Sequence, residues 1–305
     1  MKIGLMLPLG EDDGLGRTLD WPELRDLALA AERSGLDSIW GADHLVFHTK
    51  EGRTEGIHEC WTVLTAVAAL TERVEIGPLV LAVPFRNPAL TAKMAAELDA
   101  VSNGRLVLGL GCGWHEPEFD DFGYPFDHRV GRFEEALDVI VPLVREGRAT
   151  MTGQWHRADA SLLPRGPRED GPPILIAGKG PRMLALTARH ADAWNAAWYG
   201  TPDDLGELDE RVARVRAACA DAGRDPSSLS LTAGVFVHFP HLAREGDEPP
   251  PPSAMQGDPG AVGEMLARYR DHGIDHVIVH LWPRRPEAVE ELGRAAAATR
   301  ALLAQ

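Results

Sequence analysis

Cysteine is scarce in this sequence, and no cysteine pair has the spacing of a metal or redox site. The 305 residues include three cysteines, at positions 60, 112 and 219, and Cys-x-x-Cys does not occur. We therefore expect neither a disulfide framework nor a zinc knuckle, which fits a reducing cytoplasm. His-Glu-x-x-His is missing too, and His272, His276 and His280 cannot share one helical face, so no metal site is predicted.

Positive charge and long apolar runs are also in short supply. Lys+Arg number 31 and Asp+Glu number 46, which gives a formal net charge of −15. Nucleic acids and anionic membranes are bound by basic surfaces, so neither is an expected partner. The longest uncharged apolar run, Ile76–Phe85, contains two prolines and is too short to cross a bilayer. The opening stretch, Met1–Asp13, is predicted to be a first strand rather than a signal peptide.

What the sequence does have is a regular alternation of strand-like and helical patterns. About eight such units follow one another, which favours an α/β fold with parallel strands, a (β/α)₈ TIM barrel, over an open doubly wound sheet. Residues 1–305 are predicted to form one domain. The expected strands are Lys2–Leu9, Ser38–Trp40, Val74–Val83, Arg105–Leu110, Pro173–Ala177, Ala193–Ala196, Leu229–Val237 and His276–His280.

The first helix shows why the helical units are expected where they are. Asp20 can cap it, Pro22 suits its first turn, Glu23 can close a capping box and Gly35 can end it. Helices are likewise expected near Cys60–Leu70, Pro88–Val101, Arg129–Arg145, Arg182–His190, Leu205–Ala222, Ala261–Tyr269 and Pro286–Leu303.

Two stretches interrupt the alternation and are predicted to be insertions. Gly147–Gly171 is polar and lies between the fourth helix and the fifth strand. Pro240–Pro259 follows strand seven and contains four consecutive prolines, so it cannot be a helix interior or a central strand. It is either a lid over the active site or a tolerated surface insertion.

The active site of such a barrel lies where the strands end and the following loops begin. Asp43 and His44 follow strand two, where they could supply acid–base chemistry, or serve as a backbone cap and a hydrogen-bonded rim histidine. Further polar and aromatic residues follow the other strands: Cys112, Trp114, His115, Glu116, Lys179, Arg182, Trp194, Asn195, Trp198, His238, His280 and Trp282.

Two glycine-rich turns stand out among these loops. Residues 177–182 read Ala-Gly-Lys-Gly-Pro-Arg between a strand and a helix, which suits either a phosphate cradle with Lys179 and Arg182 or a plain turn. Gly109, Gly111 and Gly113 do not form Gly-x-Gly-x-x-Gly, and a long loop rather than an immediate helix is expected after them. They could let a flat ring approach the backbone, or relieve crowding at the rim. Gly-x-Ser-x-Gly is absent, which disfavours a serine hydrolase.

Six segments of the chain follow one another in a recognisable order and spacing. They are Ala31–Trp40 with Asp43 and His44, Ile76–Val80 with Arg86–Ala89, Leu98–Leu106, Gly109–Glu116 with Phe119, Pro173–Arg182 and Ala188–Asn195. Taken together, they resemble the bacterial luciferase-like monooxygenase superfamily, and more closely its deazaflavin-dependent (coenzyme F420) oxidoreductase branch. The resemblance extends over about residues 1–300.

The resemblance implies a flavin-type ring bound at the carboxyl ends of the strands. It places a bulge with a non-prolyl cis peptide at Leu79–Val80 behind the ring, and the phosphate on backbone amides of residues 178–180. The residues expected to contact the cofactor are Asp43, Leu79, Val80, Gly111, Cys112, Gly113, Ala177, Gly178, Lys179, Gly180 and Arg182.

The resemblance also implies hydride transfer between F420 and a small organic substrate. His44 is expected to handle the proton. Some members use a glutamate after strand four, but Cys112 stands at that position, so His115 or Glu116 is expected to substitute. The alternatives are an FMN-dependent monooxygenase and a ligand-binding barrel without turnover. A homodimer is expected, with substrate contacts from loops 45–57, 115–128 and 239–257.

Overall fold

The protein is described from a computed structural model over residues 1–49, 52–203 and 205–305. Within these residues eight parallel strands form a barrel inside a ring of helices, which confirms the predicted (β/α)₈ fold. The barrel strands are β1 Lys2–Met6, β2 Ser38–Gly41, β3 in two segments (Glu75–Pro78 and Leu81–Ala82), β4 Leu108–Gly111, β5 Ile174–Ala177, β6 Ala193–Tyr199, β7 Ser230–His238 and β8 His276–Trp282.

The ring of strands closes through the two segments of β3. The strand order runs β3-β2-β1-β8-β7-β6-β5-β4 and returns to β3. The second segment of β3 pairs with β4, and Ile76 of the first segment bridges to Leu106 just before β4. Between the segments, the peptide bond joining Leu79 to Val80 is cis, as the resemblance predicts.

The helices lie outside the barrel and begin at identifiable caps. At the first helix the predicted capping box is confirmed, since the Glu23 N–H donates to Asp20 Oδ1 (3.0 Å) and the Asp20 N–H donates to Glu23 Oε2 (2.7 Å). The helices are α1 Trp21–Arg33, α2 Cys60–Leu70, α3 Pro88–Val101, α4 Glu116–Phe122, α5 Arg129–Glu146, α6 Pro181–His190, α7 Gly206–Asp221, α8 Pro259–Arg268 and α9 Pro286–Leu303.

Helix α4 is the helix that the sequence did not predict. It begins three residues after Gly113, so the expectation of a long loop with no immediate helix was wrong. Glu116 and Glu118 in the first turn complement the helix dipole, and Gly123 ends the helix with a φ of 74°. Seven residues are too few for a helical period to show in the sequence.

Both predicted insertions are present. The first contains an antiparallel hairpin, Arg148–Thr152 with Arg157–Ser161, and its tip is held by Glu135, which accepts hydrogen bonds from three successive backbone N–H groups. The second contains a short 3₁₀ turn, Pro240–Leu242, and a two-residue strand, Met255–Gln256, that extends the sheet beside β7.

The apolar core has two layers and a third, small cluster of Ala82, Phe85 and Phe119. The larger one fills the space between strands and helices, and a smaller cluster of Met6, Trp40, Leu175, Ala193 and Ile278 fills the barrel interior. Among the described residues no helix has the length and apolar character needed to cross a bilayer.

Polar side chains lie beneath this interior cluster. Trp40 Nε1 donates to Ser38 Oγ (2.7 Å), which also contacts His276 Nε2 (2.7 Å). Burial lowers the pKa of His276 to about 3, so the imidazole is neutral. Side chains thus fill the barrel at the amino-terminal ends of the strands, and its open end lies at their carboxyl ends.

Candidate active site

A histidine and a glutamate from different elements meet at the open end of the barrel. His44 follows β2, and its Nδ1 donates to Glu118 Oε1 of α4 (2.9 Å). The second oxygen, Glu118 Oε2, accepts from the Leu45 N–H (3.0 Å). The side chain of Glu118 is 1% exposed and that of His44 is 13% exposed. Glu118 therefore fixes both the orientation of the imidazole and the loop that carries it.

The tautomer of His44 follows from this contact. A carboxylate only accepts hydrogen bonds, so Nδ1 carries a proton and Nε2 is left to exchange one. Nε2 has no hydrogen-bond partner among the described residues. The ring lies between Phe47, with centroids 4.3 Å apart, and the exposed Trp114, with centroids 5.6 Å apart. The arrangement suits a general acid or base at the rim.

Asp43 holds strand three rather than presenting a free carboxylate. Arg86 binds both of its oxygens (2.7 and 2.9 Å), and Oδ2 also accepts from the Ala82 N–H (2.8 Å). Arg86 in turn contacts Glu59 (2.7 Å). Of the two interpretations open from the sequence, the structure favours the cap, since Asp43 ties the second segment of β3 to the end of β2.

Cys112 stands at the position of the missing acid, and His115 and Glu116 are the two residues expected to substitute for it. These three residues occupy different surroundings. His115 is buried, and its Nε2 accepts from the His48 N–H (3.1 Å), which ties α4 to the hairpin Val46–His48 with Thr54–Gly56. Burial lowers the pKa of His115 and raises that of the Cys112 thiol. Glu116 is exposed at the start of α4. Their proposed roles remain predictions. Residues 50 and 51 of this loop lie outside the described residues.

β3 lies so close to β4 that glycines are needed in β4. A Cβ at Gly109 would lie 2.0 Å from the Pro78 carbonyl oxygen, and one at Gly111 would lie 2.7 Å from Val80 Cγ2. Gly113 has a φ of 71°. Leu79 and Val80 pack on the interior cluster, so they form a floor at the open end. This favours the crowding interpretation, and contact of Gly111 and Gly113 with a ring remains a prediction.

The turn after β5 leaves open space at the start of α6. Gly180 caps α6 without a side chain, and no atom lies within 4 Å of an added Cβ there. The Gly178 carbonyl accepts from Trp194 Nε1 (3.0 Å), which fixes the turn from below, while the half-buried Ala177 ends β5. The first-turn N–H groups of α6 are thus available to an acceptor.

The charges beside this turn differ from what the sequence predicts. Arg182 Nε donates to Glu134 Oε2 (2.9 Å), and Glu134 also binds Arg189 (3.0 Å), so part of the Arg182 charge is compensated. Lys179 is exposed and makes no ion pair with any described residue. Local charge stays positive because two arginines share one carboxylate.

The remaining rim residues come from β6, β7 and β8. Asn195 Nδ2 donates to Thr232 Oγ1 (2.9 Å) inside the barrel. Trp198, Phe236, His280 and Trp282 form a cluster of rings, with His280 and Trp282 centroids 4.4 Å apart. No group of three or more potential ligands that could hold a metal occurs within the described ranges.

Sequence comparison identifies the family. A profile of the luciferase-like monooxygenases matches residues 1–249 of the chain. The chain belongs to the luciferase-like monooxygenase family. The phthiodiolone/phenolphthiodiolone dimycocerosates ketoreductase of Mycobacterium tuberculosis is 35% identical over 230 residues, covering 68% of this chain and 59% of that protein. The pyrimidine monooxygenase RutA of Methylorubrum extorquens is 30% identical over 264 residues, covering 81% of this chain and 67% of that protein. The chain therefore spans less than two thirds of the ketoreductase's length.

Solved structures share the luciferase-like fold at lower identity. An F420-dependent secondary alcohol dehydrogenase, in complex with an F420–acetone adduct, superimposes with a TM-score of 0.80 at 19% identity, covering 98% of this chain and 99% of that chain. The monooxygenase RslO1 of Streptomyces bottropensis gives 0.78 at 22% identity, covering 100% of both chains. At these identities the similarity establishes the fold alone.

Glu118 is the residue of this luciferase-like site that the sequence did not reveal. It lies on the buried face of α4 with Phe119, three residues after His115. Had the short helix been recognised, an acidic residue on its apolar face would have marked it, because a buried carboxylate needs a partner. Without the helix, Glu118 is one of several acids in a polar loop.

Proposed function

We propose that this luciferase-like barrel is an oxidoreductase that transfers a hydride between coenzyme F420 and a small organic substrate bound at the open end. The observation that carries the proposal is the His44–Glu118 pair. It presents one imidazole nitrogen at the mouth and holds it with a buried carboxylate. Hydride transfer to a carbonyl needs one such proton donor beside the substrate oxygen.

The residues present fit the cofactor at two places. The floor formed by Leu79 and Val80 is apolar and adjoins glycines, which suits the face of a tricyclic ring. The turn at Gly178–Gly180 offers helix N–H groups, open space and Lys179, which suits a phosphate. These are the residues that would hold F420.

When bound, F420 supplies or accepts the hydride. The side chains of the barrel transfer the proton and orient the group that carries it. As a carbonyl is reduced to an alcohol, His44 Nε2 gives its proton to the substrate oxygen, and in the reverse direction the same atom takes the proton back. Glu118 keeps the ring in one orientation, and Phe47 and Trp114 pack on either side of it.

The relatives agree with this chemistry. The 35% identical relative is a ketoreductase by name, and the alcohol dehydrogenase with the same fold binds an F420–acetone adduct. The competing function is an FMN-dependent monooxygenase. The 30% identical pyrimidine monooxygenase and RslO1 are both monooxygenases by name, which supports the reaction class of this alternative. We place the chain in the cytoplasm, in keeping with its three free cysteines. The homodimer remains a prediction.

A cofactor titration tests the proposal. We expect the chain to quench the fluorescence of F420 on binding and to give no response with FMN. Lys179→Ala should weaken F420 binding about fivefold, since it removes an exposed charge beside the phosphate. Lys93→Ala, on α3, is the matched control and should leave the affinity unchanged. Binding of FMN without binding of F420 would reject the proposal in favour of the monooxygenase.

A further inference from the structure

The interior faces of β7 and β8 form a continuous wall that becomes aromatic towards the open end. In register, Thr232, Gly234, Phe236 and His238 of β7 lie beside His276, Ile278, His280 and Trp282 of β8. Ile278 belongs to the interior cluster, and side chains at alternate positions share its face. The upper members of both columns therefore line the mouth, on the arc of the rim between the turn after β5 and His44 after β2.

Aromatic rings cover this part of the wall. We call Trp198, Phe236, His280 and Trp282 the aromatic box. Trp198 stacks on Phe236 with centroids 5.5 Å apart and planes 15° apart. The Trp198 ring also lies where a Cβ at Gly234 would be, at 2.4 Å, so glycine is required for the ring to lie across β7. The box is a built surface for a flat or apolar ligand.

Three buried nitrogen atoms of this wall have no partner. They are His238 Nδ1, His280 Nε2 and Trp282 Nε1, none of which makes a hydrogen bond with a described residue. Trp282 is only 4% exposed, and its indole N–H can only donate. A buried donor left unpaired is costly, so such atoms point to a ligand that supplies an acceptor.

The charges around the box decide which acceptor fits. Arg284 lies 5.6 Å from the Trp282 ring, and its two terminal nitrogens contact Glu248 (2.8 Å) and Asp12 (3.4 Å), while its Nε has no hydrogen-bond partner among the described residues. One cation faces two carboxylates, which disfavours a further anion. Burial lowers the pKa of His280 to about 3, so this ring brings no positive charge.

We propose that the aromatic box is the substrate subsite and that it selects an uncharged, planar ketone or the corresponding alcohol, whose oxygen accepts a hydrogen bond from Trp282. The proposal names the substrate class of the hydride transfer and in that respect rests on the proposed function. Carboxylic acids and plain hydrocarbons of the same shape should both bind less well.

Calorimetric titration with acetophenone, ethylbenzene and benzoate tests the subsite. The protein is saturated with F420, or used alone if F420 does not bind, so that failure of the cofactor to bind counts against the proposed function only. We expect acetophenone to bind about tenfold more tightly than ethylbenzene, because only the ketone offers an acceptor. Benzoate should bind least tightly of the three.

Two variants assign the preference to the box. Trp282→Phe keeps an aromatic ring and removes the N–H, so it should weaken acetophenone binding about tenfold and leave ethylbenzene binding within about twofold. His280→Phe tests the neighbouring nitrogen in the same way if the first variant does not fold. Trp21→Phe, exposed on α1, is the matched control and should change neither affinity. Equal binding of the ketone and the hydrocarbon, tighter binding of benzoate, or equal loss for both neutral ligands in Trp282→Phe would overturn the subsite.

Discussion

At the scale of single residues, one buried carboxylate organises the reacting end of the barrel. Glu118 uses one oxygen for His44 and the other for the Leu45 N–H, so both of its acceptors face the same loop. Glu116, two residues earlier on the same helix, is exposed. This contrast separates a positioning residue from a surface acid.

Glu118→Gln should therefore lower kcat by about 10- to 100-fold, since the imidazole loses the carboxylate that fixes its orientation. We expect the affinity for F420 and the thermal midpoint to stay close to the wild-type values, which a merely structural role would not allow. Steady-state kinetics and cofactor titration provide these measurements.

Glu116→Gln is the matched control, because it makes the same chemical change on the same helix. We expect it to keep wild-type kcat. A large loss of kcat in Glu116→Gln with little change in Glu118→Gln would mean that the exposed acid handles the proton.

The sequence located the histidine of this pair but not its partner. His44 could be found because it follows a strand in a barrel whose rim is known. Glu118 could not, since its role depends on a seven-residue helix folding back over the mouth. The ion pair of Arg182 with Glu134 was hidden for the same reason, because 48 residues separate the two in the chain.

His276 makes stability depend on pH. Its folded-state pKa of about 3 lies below the unfolded value of about 6.5, so only the unfolded chain takes up this proton between those limits. The stabilisation is complete above pH 6.5 and is lost as the pH falls toward 3. Each such proton contributes a slope of about 1.4 kcal/mol per pH unit.

His276→Gln should remove the contribution of this one proton to the pH dependence of the unfolding free energy. We expect the variant to be less stable than the wild type at pH 7, and the difference in unfolding free energy to shrink as the pH falls from 6 to 4. Ser38→Ala loses a hydrogen bond but keeps the imidazole, so its difference should not shrink in this way. Urea unfolding at several pH values measures both, and a constant difference for His276→Gln would contradict the assignment.

At the scale of elements, strands three and four are fitted to each other through backbone atoms. The bulge at Leu79–Val80 brings the Pro78 carbonyl so close to β4 that no Cβ fits at Gly109. The sequence showed the glycines but left two explanations open. The two explanations are the approach of a flat ring and the relief of crowding. The register between the strands favours crowding, and the sequence does not show that register.

Gly109→Ala should destabilise the fold by about 3 kcal/mol, at the upper end of the cost of overpacking, because the obstructing atom is backbone and cannot rotate away. The free energy of unfolding in urea measures this loss. Gly10→Ala, where an added Cβ meets nothing within 4 Å, should change stability by less than about 1 kcal/mol. Similar values for the two variants would show that β4 can move to accept a side chain.

Helix boundaries followed the sequence where a capping side chain marks them. The bounds expected for α2 and α3, Cys60–Leu70 and Pro88–Val101, are those observed, and Glu59 and Asn87 cap the two helices. The ends of β6 and β8 extend beyond the predicted residues. Aromatic side chains at the rim continue these strands, and a polar or aromatic strand end gives no apolar pattern to follow.

At the scale of the whole molecule, the rim divides into two arcs. The arc from β2 to β5 carries the His44–Glu118 pair, the bulge of β3 and the glycine-rich turn after β5, while the arc from β6 to β8 carries the aromatic box. The count of strand–helix units predicted that the strand ends would form one rim. The distribution of these groups between the two arcs could not be predicted, since it depends on which side chains face inward at the upper ends of the strands.

The meeting of β3 and β4 has a consequence for how such an enzyme changes over generations. The surface beneath the reacting groups consists of main chain, two aliphatic side chains and glycines that tolerate no added atom. Point mutation therefore has little there to vary without costing the fold. The subsite that we propose lies on the opposite wall, where side chains can be exchanged one at a time, so we expect new specificities to arise there.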